Sequence, residues 1–511
     1  MPPATTPQCG QRTISGQIWP DSQGRFRLVC GEVRGYIGTM QATHSPATLD
    51  AQTCRRARLS RDSRFDGEFY TAVRTTGIYC RPVCPARPPD EKNVAYYRSA
   101  AEAADAGYRP CLRCRPESAP GSPAWLGSST TVKRAVSLIQ AGALNDGPVS
   151  SLATRLGVGE RYLRKLFTRE IGVSPQAMAN NQRLLFARKL LAETRLPITE
   201  VAYASGFGSV RRFNSAVRTQ FRQTPGDLRK RSARSDAGAA LQLVLHYRPP
   251  YDWDGVINFF MRHAVDGVET AAPDGYRRNL RFGHEEGWIT VTPVKDKPAL
   301  LLGMQLPDNA LLMTTVANVR RMFDLDANPA AIQDALSRDP ELAQLVKRYP
   351  GIRSPGYWSP FEACVRAIVG QQVSTSAARS VLSRLAAACK PPGAMDTPFA
   401  SPAALANLPD AAFPMPGRRR DTLRELCRSV VGHENELDIP ALARRRGIGP
   451  WTVAMAAMRG AAEPDALPAN DLGLKQAWAA LGQEDDLASL AVSWQPWRSY
   501  AANLLWRSLG T

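Results

Sequence analysis

The sequence predicts a multidomain chain: a small α+β module built on cysteines, an all-α segment of tandem helix-turn-helix units, and an α+β subdomain followed by an all-α one. Three observations predict it. The 511 residues suffice for about three or four domains of ordinary size. The positive charge is concentrated in one stretch, and four of the ten cysteines form two close pairs inside it. With 44% hydrophobic and 22% charged residues the segments can bury cores, which excludes a disordered basic tail.

The formal net charge of +19 points to a polyanionic partner. Its distribution is uneven. Residues 1–53 hold 4 Lys+Arg and 3 Asp+Glu, 54–117 hold 13 and 8, 127–235 hold 19 and 6, and 236–511 hold 29 of each. The excess therefore lies between Cys54 and Ser235, and the C-terminal half is neutral. One function spread over one basic surface does not fit this pattern.

Residues 1–53 carry Gly, Ser, Thr and Pro without periodicity and include Met40, so they read as an unstructured N-terminal extension. The start, MPPATTPQCGQRT, has no basic segment followed by an apolar one, and no apolar run approaches the roughly 18–20 residues that span a bilayer. Export and membrane insertion are not expected, and the expected location is cytoplasmic.

The module at 54–117 holds Cys80-x3-Cys84 and, after 26 residues, Cys111-x2-Cys114. Two close Cys pairs on separate turns can supply four thiolates to one tetrahedral Zn²⁺, and Pro82, Pro85, Pro110 and Pro116 suit such turns. Cys364, Cys389 and Cys427 lack the close spacing of an iron–sulfur set. One zinc ion and no iron–sulfur cluster are expected.

The run from Phe65 to Cys114, with its DGEF, RTTGIYCRPVC and GYRPCLRC segments, closely resembles the N-terminal zinc domain of the Ada family, which repairs methyl phosphotriesters in DNA. The resemblance implies that Cys80 accepts the methyl group irreversibly, while Cys84, Cys111 and Cys114 hold the metal with it. A zinc-bound thiolate stays deprotonated at neutral pH and needs no general base. Four thiolates on Zn²⁺ leave a net charge of −2, and methylating one leaves −1. At about 10 Å and an effective dielectric of about 20, that difference is worth roughly 1.7 kcal/mol per nearby phosphate before salt screening. Repair at Cys80 would then act as a charge switch on DNA affinity.

After a linker at 118–129, the segment 127–232 carries two helix-turn-helix patterns. These are VSSLATRLGVGERYLRKLFTREIG (149–172), turning at Gly157, and ITEVAYASGFGSVRRFNSAVRTQF (198–221), turning at Gly206. The second helix of such a unit lies in the major groove. Arg161, Arg164 and Lys165, and Ser209, Arg211, Arg212 and Asn214, are the candidate DNA contacts. Ending in FNSAVRTQFRQTPGDLR, the tandem resembles the AraC-type DNA-binding domain.

A second linker (232–240) leads into alternating strand patterns across 241–325 and helical patterns across 326–511. Gly447-Ile448-Gly449 between helical stretches is a hairpin whose backbone N–H groups can approach a phosphate, and Asp471 follows about 22 residues on. From YRPPYDW through FEACVRAIVGQQVS to SWQPWRSYAANLLW, this half resembles the helix-hairpin-helix glycosylases, specifically the 3-methyladenine-DNA glycosylase II (AlkA) type. The resemblance implies that Asp471 is the catalytic carboxylate. Gly447 and Gly449 would anchor the DNA backbone, Gln371 and Gln372 would plug the gap left by a flipped base, and Trp451, Met455 and Trp506 would line the base pocket.

An anionic Asp471 suits the chemistry, because an alkylated purine is already cationic and its glycosidic bond weak. Trp451 occupies the place of a Schiff-base Lys in strand-cutting relatives, so a monofunctional hydrolase is expected. Met455 stands where the family has a pocket Tyr, Gln372 replaces an apolar wedge, and the PCHR motif of the O6-methylguanine transferase half of Ada is absent.

The sequence therefore implies a methyl-phosphotriester acceptor and transcriptional activator fused to a base excision repair glycosylase. The alternative is a regulator whose glycosylase half is inactive and only docks DNA. Expected partners are double-stranded DNA, alkylated or at promoters, and RNA polymerase, with the chain a monomer. An isolated 236–511 fragment is expected to keep its chemistry but lose affinity and salt dependence.

Overall fold

The computed structural model describes residues 49–116, 119, 130–145, 147–230, 240–390, 396–432, 437–483 and 486–510. Most of the expected N-terminal extension and both linkers lie outside these residues. The described residues fall in one compact unit.

Helix α1 (Ala51–Ser60) starts behind Asp50, whose side chain accepts the Thr53 N–H. Next come strands β1 (Tyr70–Val73), β2 (Ile78–Cys80) and β3 (Val94–Tyr97), helix α2 (Ala100–Asp105) and strand β4 (Arg109–Pro110). They form a sheet of order β3-β1-β2-β4. The β1–β2 hairpin turns at Gly77, which takes φ +62°. β2 and β4 run parallel with Tyr79 opposite Pro110, so Cys80 and Cys111 leave the sheet side by side.

Seven helices follow: α3 (Thr130–Gln140), α4 (Val149–Arg155), α5 (Glu160–Glu170), α6 (Pro175–Glu193), α7 (Ile198–Ala204), α8 (Val210–Phe221) and α9 (Pro225–Lys230). Gly157 (φ +68°) and Gly206 (φ +78°) make the two expected turns. At Gly206 a Cβ would also lie 2.3 Å from the end of the Asn145 side chain, which would have to move. Helix α6 buries Pro175, Ala179, Asn181, Leu184, Ala187, Arg188, Lys189, Leu190, Leu191 and Ala192, which are spread around its circumference.

The remaining chain opens with β5 (Leu241–His246), α10 (Trp253–His263), β6 (Glu269–Ala272), β7 (Gly275–Phe282), β8 (Glu285–Pro293) and β9 (Ala299–Gln305). The sheet is antiparallel, of order β5-β9-β8-β7-β6. Helices complete it: α11 (Leu312–Met322), α12 (Pro329–Leu336), α13 (Pro340–Arg348), α14 (Pro360–Val369), α15 (Thr375–Ala388) and α16 (Pro402–Asn407), then α17 (Gly417–Val430), α18 (Pro450–Ala461), α19 (Leu472–Ala480), α20 (Leu487–Leu490) and α21 (Arg498–Ser508). Several start with Pro behind a capping Asn328, Asp339, Ser359 or Ser401, where the missing N–H costs nothing and φ is already set. Among the described residues no helix is long and apolar enough to cross a membrane.

One core runs across an expected boundary. Leu184, Leu190, Phe213, Val217 and Phe221 of the helical segment pack in one cluster with Leu243, Leu245, Ile289, Leu302 and Phe323. A 236–511 fragment would bare the apolar faces that α6 and α8 cover, so independent folding of that fragment is at odds with this core. Lys189 and Glu193 add polar contacts: Lys189 Nζ donates to Val244 O, and Glu193 Oε2 accepts the Val244 N–H at 3.0 Å, covering the edge of β5.

The sheet is joined to the later helices by four buried charges. Arg278 on β7 pairs with Glu362 on α14 at 2.5 Å and with Glu269 on β6 at 3.2 Å, and Arg366 pairs with Glu269 at 2.5 Å. Two cations match two anions in a water-poor space, so removing one leaves its partners unpaired. Arg278→Met is expected to cost about 3–5 kcal/mol in a urea unfolding curve read by tryptophan fluorescence; a cost below about 1 kcal/mol would mean the network is solvated.

Candidate functional site

Four sulfurs converge first. The Sγ atoms of Cys80, Cys84, Cys111 and Cys114 all lie within 4.8 Å of one another, the one such group of three or more metal-ligating side chains among the described residues. Each pair is made by a turn: Cys84 N donates to Arg81 O at 3.2 Å, and Arg113 N donates to Cys111 Sγ at 3.4 Å. Across the pairs, Arg81 N donates to Cys114 Sγ at 3.3 Å. Four sulfurs at this spacing, with backbone N–H groups aimed at two of them, fit a tetrahedral zinc ion. Burial pushes Cys364 and Cys427 up to about 12, which makes them poor nucleophiles.

Arg81 braces the centre. Its guanidinium meets both carboxylate oxygens of buried Asp66 and donates to Cys114 O at 3.1 Å. Arg248, reaching from the end of β5, is fully buried and donates to Asp66 O at 2.8 Å and to Asp326 O at 2.7 Å.

On the helical segment, Arg161, Arg164 and Lys165 are exposed on α5, with Arg164 bonded to Glu160 at 2.6 Å. On α8, Arg211 and Arg212 are exposed and Asn214 is half-buried. Ser209 serves the helix itself: its hydroxyl accepts the Arg212 N–H at 3.3 Å and caps α8. A shallow groove along α8 is lined by Arg211, Asn214, Ser215, Arg218 and Thr219. Sequence reasoning missed the last three, although their spacing of four, seven and eight residues from Arg211 marks one helix face.

The third site gathers residues from three helices. Asp471 caps α19, accepting Leu474 N–H at 3.1 Å. Trp451 of α18 donates its indole N–H to Asp471 Oδ2 at 2.9 Å, and Trp506 of α21 donates to Oδ1 at 3.0 Å. Both carboxylate oxygens are thus fixed by the two expected pocket walls, and Met455 sits half-buried one turn beyond Trp451. Gly473, absent from the expected set, packs closely here: a Cβ would lie 3.2 Å from the Trp506 indole nitrogen and 3.1 Å from Asp471 Oδ1, so one of the two would have to shift by a few tenths of an ångström. Buried Arg459 places its guanidinium 5.2 Å from the Trp506 ring centroid.

The hairpin residues separate into two roles. Gly447 has φ +82°, and a Cβ would collide with Thr422 Oγ1 at 2.2 Å, so only glycine fits. Gly449 caps α18 with nothing within 4 Å of its Cβ position, leaving its backbone open. Gln371 donates to Gly447 O and to Thr452 Oγ1, both at 2.9 Å, and so buttresses the hairpin. Gln372 is exposed in the left-handed region at φ +55° beside Val373, which is 40% exposed. Of the expected plugging pair, Gln372 alone projects.

These sites match known families. A family model for the metal binding domain of Ada matches residues 53–117, one for a helix-turn-helix domain matches 152–231, and one for the AlkA N-terminal domain matches 242–359. The chain is 41% identical over 482 residues to a Mycobacterium tuberculosis protein named "Probable bifunctional transcriptional activator/DNA repair enzyme AlkA", covering 90% of this chain and 97% of that one. It is 32% identical over 282 residues to "DNA-3-methyladenine glycosylase 2" of Escherichia coli K12, covering 52% of this chain and 97% of that one. Over 194 residues it is 35% identical to "Bifunctional transcriptional activator/DNA repair enzyme Ada" of the same organism, covering 36% of this chain and 53% of that one. With a cysteine centre, two helix-turn-helix units and a glycosylase-like half in one chain, this protein belongs to the family of bifunctional transcriptional activator/DNA repair enzymes of the AlkA type.

Proposed function

We propose that Cys80 takes a methyl group from a DNA methyl phosphotriester, that the helix-turn-helix units carry the resulting signal to promoters, and that Asp471 drives hydrolysis of the N-glycosidic bond of alkylated bases. The proposed modules are 54–117, 127–232, 241–325 and 326–511, although the match to the AlkA N-terminal family runs on to 359. The reading includes one zinc ion, RNA polymerase as a partner, a monomeric chain and a cytoplasmic setting.

The observation that carries the enzymatic part is the pair of indole N–H groups on Asp471. They fix the carboxylate in an aromatic pocket, where it can stabilise positive charge on the sugar as the base departs with the bonding electrons and water adds at C1′. Aromatic faces hold a cationic base by roughly 0.5–2 kcal/mol each. Gly449, Gly447 and Gln372 would meet the backbone and the emptied stack. For the acceptor, Cys80, Cys84, Cys111 and Cys114 would hold zinc, which keeps the thiolates deprotonated. The Cys80 sulfur then forms the S–CH3 bond as the methyl C–O bond breaks, and a phosphodiester anion leaves. On the reading helices, Arg161, Arg164, Lys165, Arg211, Arg212 and Asn214 would contact DNA, while Ser209 positions α8.

Three outcomes test this. Asp471→Asn keeps the cap through Oδ1 but turns an amide donor toward the Trp451 indole N–H, so a stability loss of about 1–3 kcal/mol is expected, while single-turnover release of methylated bases by the folded variant should fall by about 10²-fold or more; equal release by both forms would refute the catalytic role. Mass spectrometry after exposure to DNA carrying one methyl phosphotriester should find a single added methyl group on the Cys80 peptide, and an unmodified Cys80 would refute the acceptor. Gly447→Ala should weaken binding to a lesion duplex and lower the melting temperature, because Thr422 must move; unchanged binding and melting would remove the hairpin from the DNA interface.

A further inference from the structure

The acceptor centre and the second reading helix are joined by contacts that the proposed chemistry does not use. Gln220, one residue from the end of α8, donates its side-chain amide to Tyr108 O at 3.2 Å, where the chain enters β4 and then Cys111. Arg188, buried on α6, donates to the carbonyl of Cys111 itself at 2.9 Å. The same guanidinium lies 5.7 Å from the ring centroid of Phe221, the last residue of α8. Leu112, between the ligands Cys111 and Cys114, packs against the core that contains Phe213, Val217 and Phe221.

These contacts share one support. Asn181 of α6 donates to Ala100 O at 3.3 Å, and Leu185 packs on the core formed by Tyr70, Ala72, Tyr79, Ala100 and Ala103. Asn181, Leu185 and Arg188 are spaced by four and three residues, so they form one stripe along the helix. The stripe clamps the cysteine module, and the opposite side of α6 packs in the core that holds α8.

We propose that the segment from Tyr108 to Cys114 is the route by which modification of Cys80 reaches α8. The inference rests on the acceptor reading. Cys80 and Cys111 leave adjacent parallel strands and their sulfurs share one centre. Adding a methyl group to Cys80 adds bulk and removes one negative charge there, so Cys111 and its carbonyl must readjust. Arg188 and Gln220 bond the backbone of that segment and grip the C-terminal end of α8. A rigid helix held at one end transmits a small displacement to the groove-facing residues Arg211, Asn214 and Arg218. This mechanical path is distinct from a change in charge felt directly by DNA phosphates, because it is directed at one helix and depends on two side chains remote from the cysteines.

Hydrogen–deuterium exchange on the full chain tests it. The chain is reacted with a duplex carrying one methyl phosphotriester, modification of Cys80 is checked by mass spectrometry, and affinity for an unmodified duplex of the same sequence is measured by anisotropy. In the parent protein, methylation should change exchange in peptides covering 108–114 and 216–222 together and raise affinity. In Gln220→Ala and in Arg188→Met, Cys80 should be methylated as before, but the change at 216–222 should vanish and the affinity gain should shrink by about threefold or more. Gln220 is partly exposed, so its variant reports even where Arg188→Met does not fold. Unaltered exchange at 216–222 in the methylated parent, or a full affinity gain in Gln220→Ala, would overturn the route while leaving the acceptor intact. A Cys80 that takes up no methyl group would overturn the acceptor reading and the route with it.

Discussion

The structure depends on helix α6 being almost wholly enclosed, with Asn180 alone among its residues exposed. A helix of 19 residues with apolar side chains around its circumference has no face to give to solvent, so it must be enclosed by other elements. Here those elements belong to different modules. One side joins the α7–α9 helices and the β5–β9 sheet in a common core, another meets the cysteine module through Asn181, Leu185 and Arg188, and its last turn closes the edge of β5 with Lys189 and Glu193. Each module lends α6 part of its cover, and none can withdraw without exposing apolar surface. Shared burial replaces flexible tethers as the means of holding the three sites together.

The distribution of charge acquires a physical meaning from this arrangement. The neutral C-terminal half carries a carboxylate clamped by two indoles, while most of the excess cations belong to the segment of the helix-turn-helix units. In the proposed reading a cationic base needs an anion and π-faces more than a strongly basic surround, and the helical segment would supply the attraction for the polyanion. Arg248 and Arg188, both buried, serve instead as internal braces that bond backbone carbonyls of the cysteine module. Their charges do not belong to any DNA-facing surface.

Much of this was legible in the sequence because the signals are local. Two Cys pairs with fixed spacing, Gly157 and Gly206 at sharp turns, and a Gly-Ile-Gly hairpin followed by Asp471 each restrict the backbone within a few residues, and each appears where expected. What escaped the sequence is what depends on distant segments meeting. Trp506 lies 35 residues beyond Asp471, and the close packing of Gly473 appears only once that indole is in place. Gln371 and Ser209 have side chains suited to DNA, yet their nearest polar neighbours engage them first, in a buttress and a helix cap. The shared core was hidden for a related reason: Leu184, Leu190 and Leu191 read equally well as the inner face of a self-contained helical domain.

Unfolding by denaturant in parent and Leu190→Ala, followed by two reporters that α6 does not contain, addresses the shared spine most directly. Zinc release reports the cysteine module, and tryptophan fluorescence reports the C-terminal half, which holds eight of the ten tryptophans. Leu190 is fully buried, and its truncation should cost about 2–5 kcal/mol. If α6 binds the modules into one cooperative unit, both reporters shift together by that amount. Transitions that stay where they were in the parent, with only the helical signal displaced, would contradict the account.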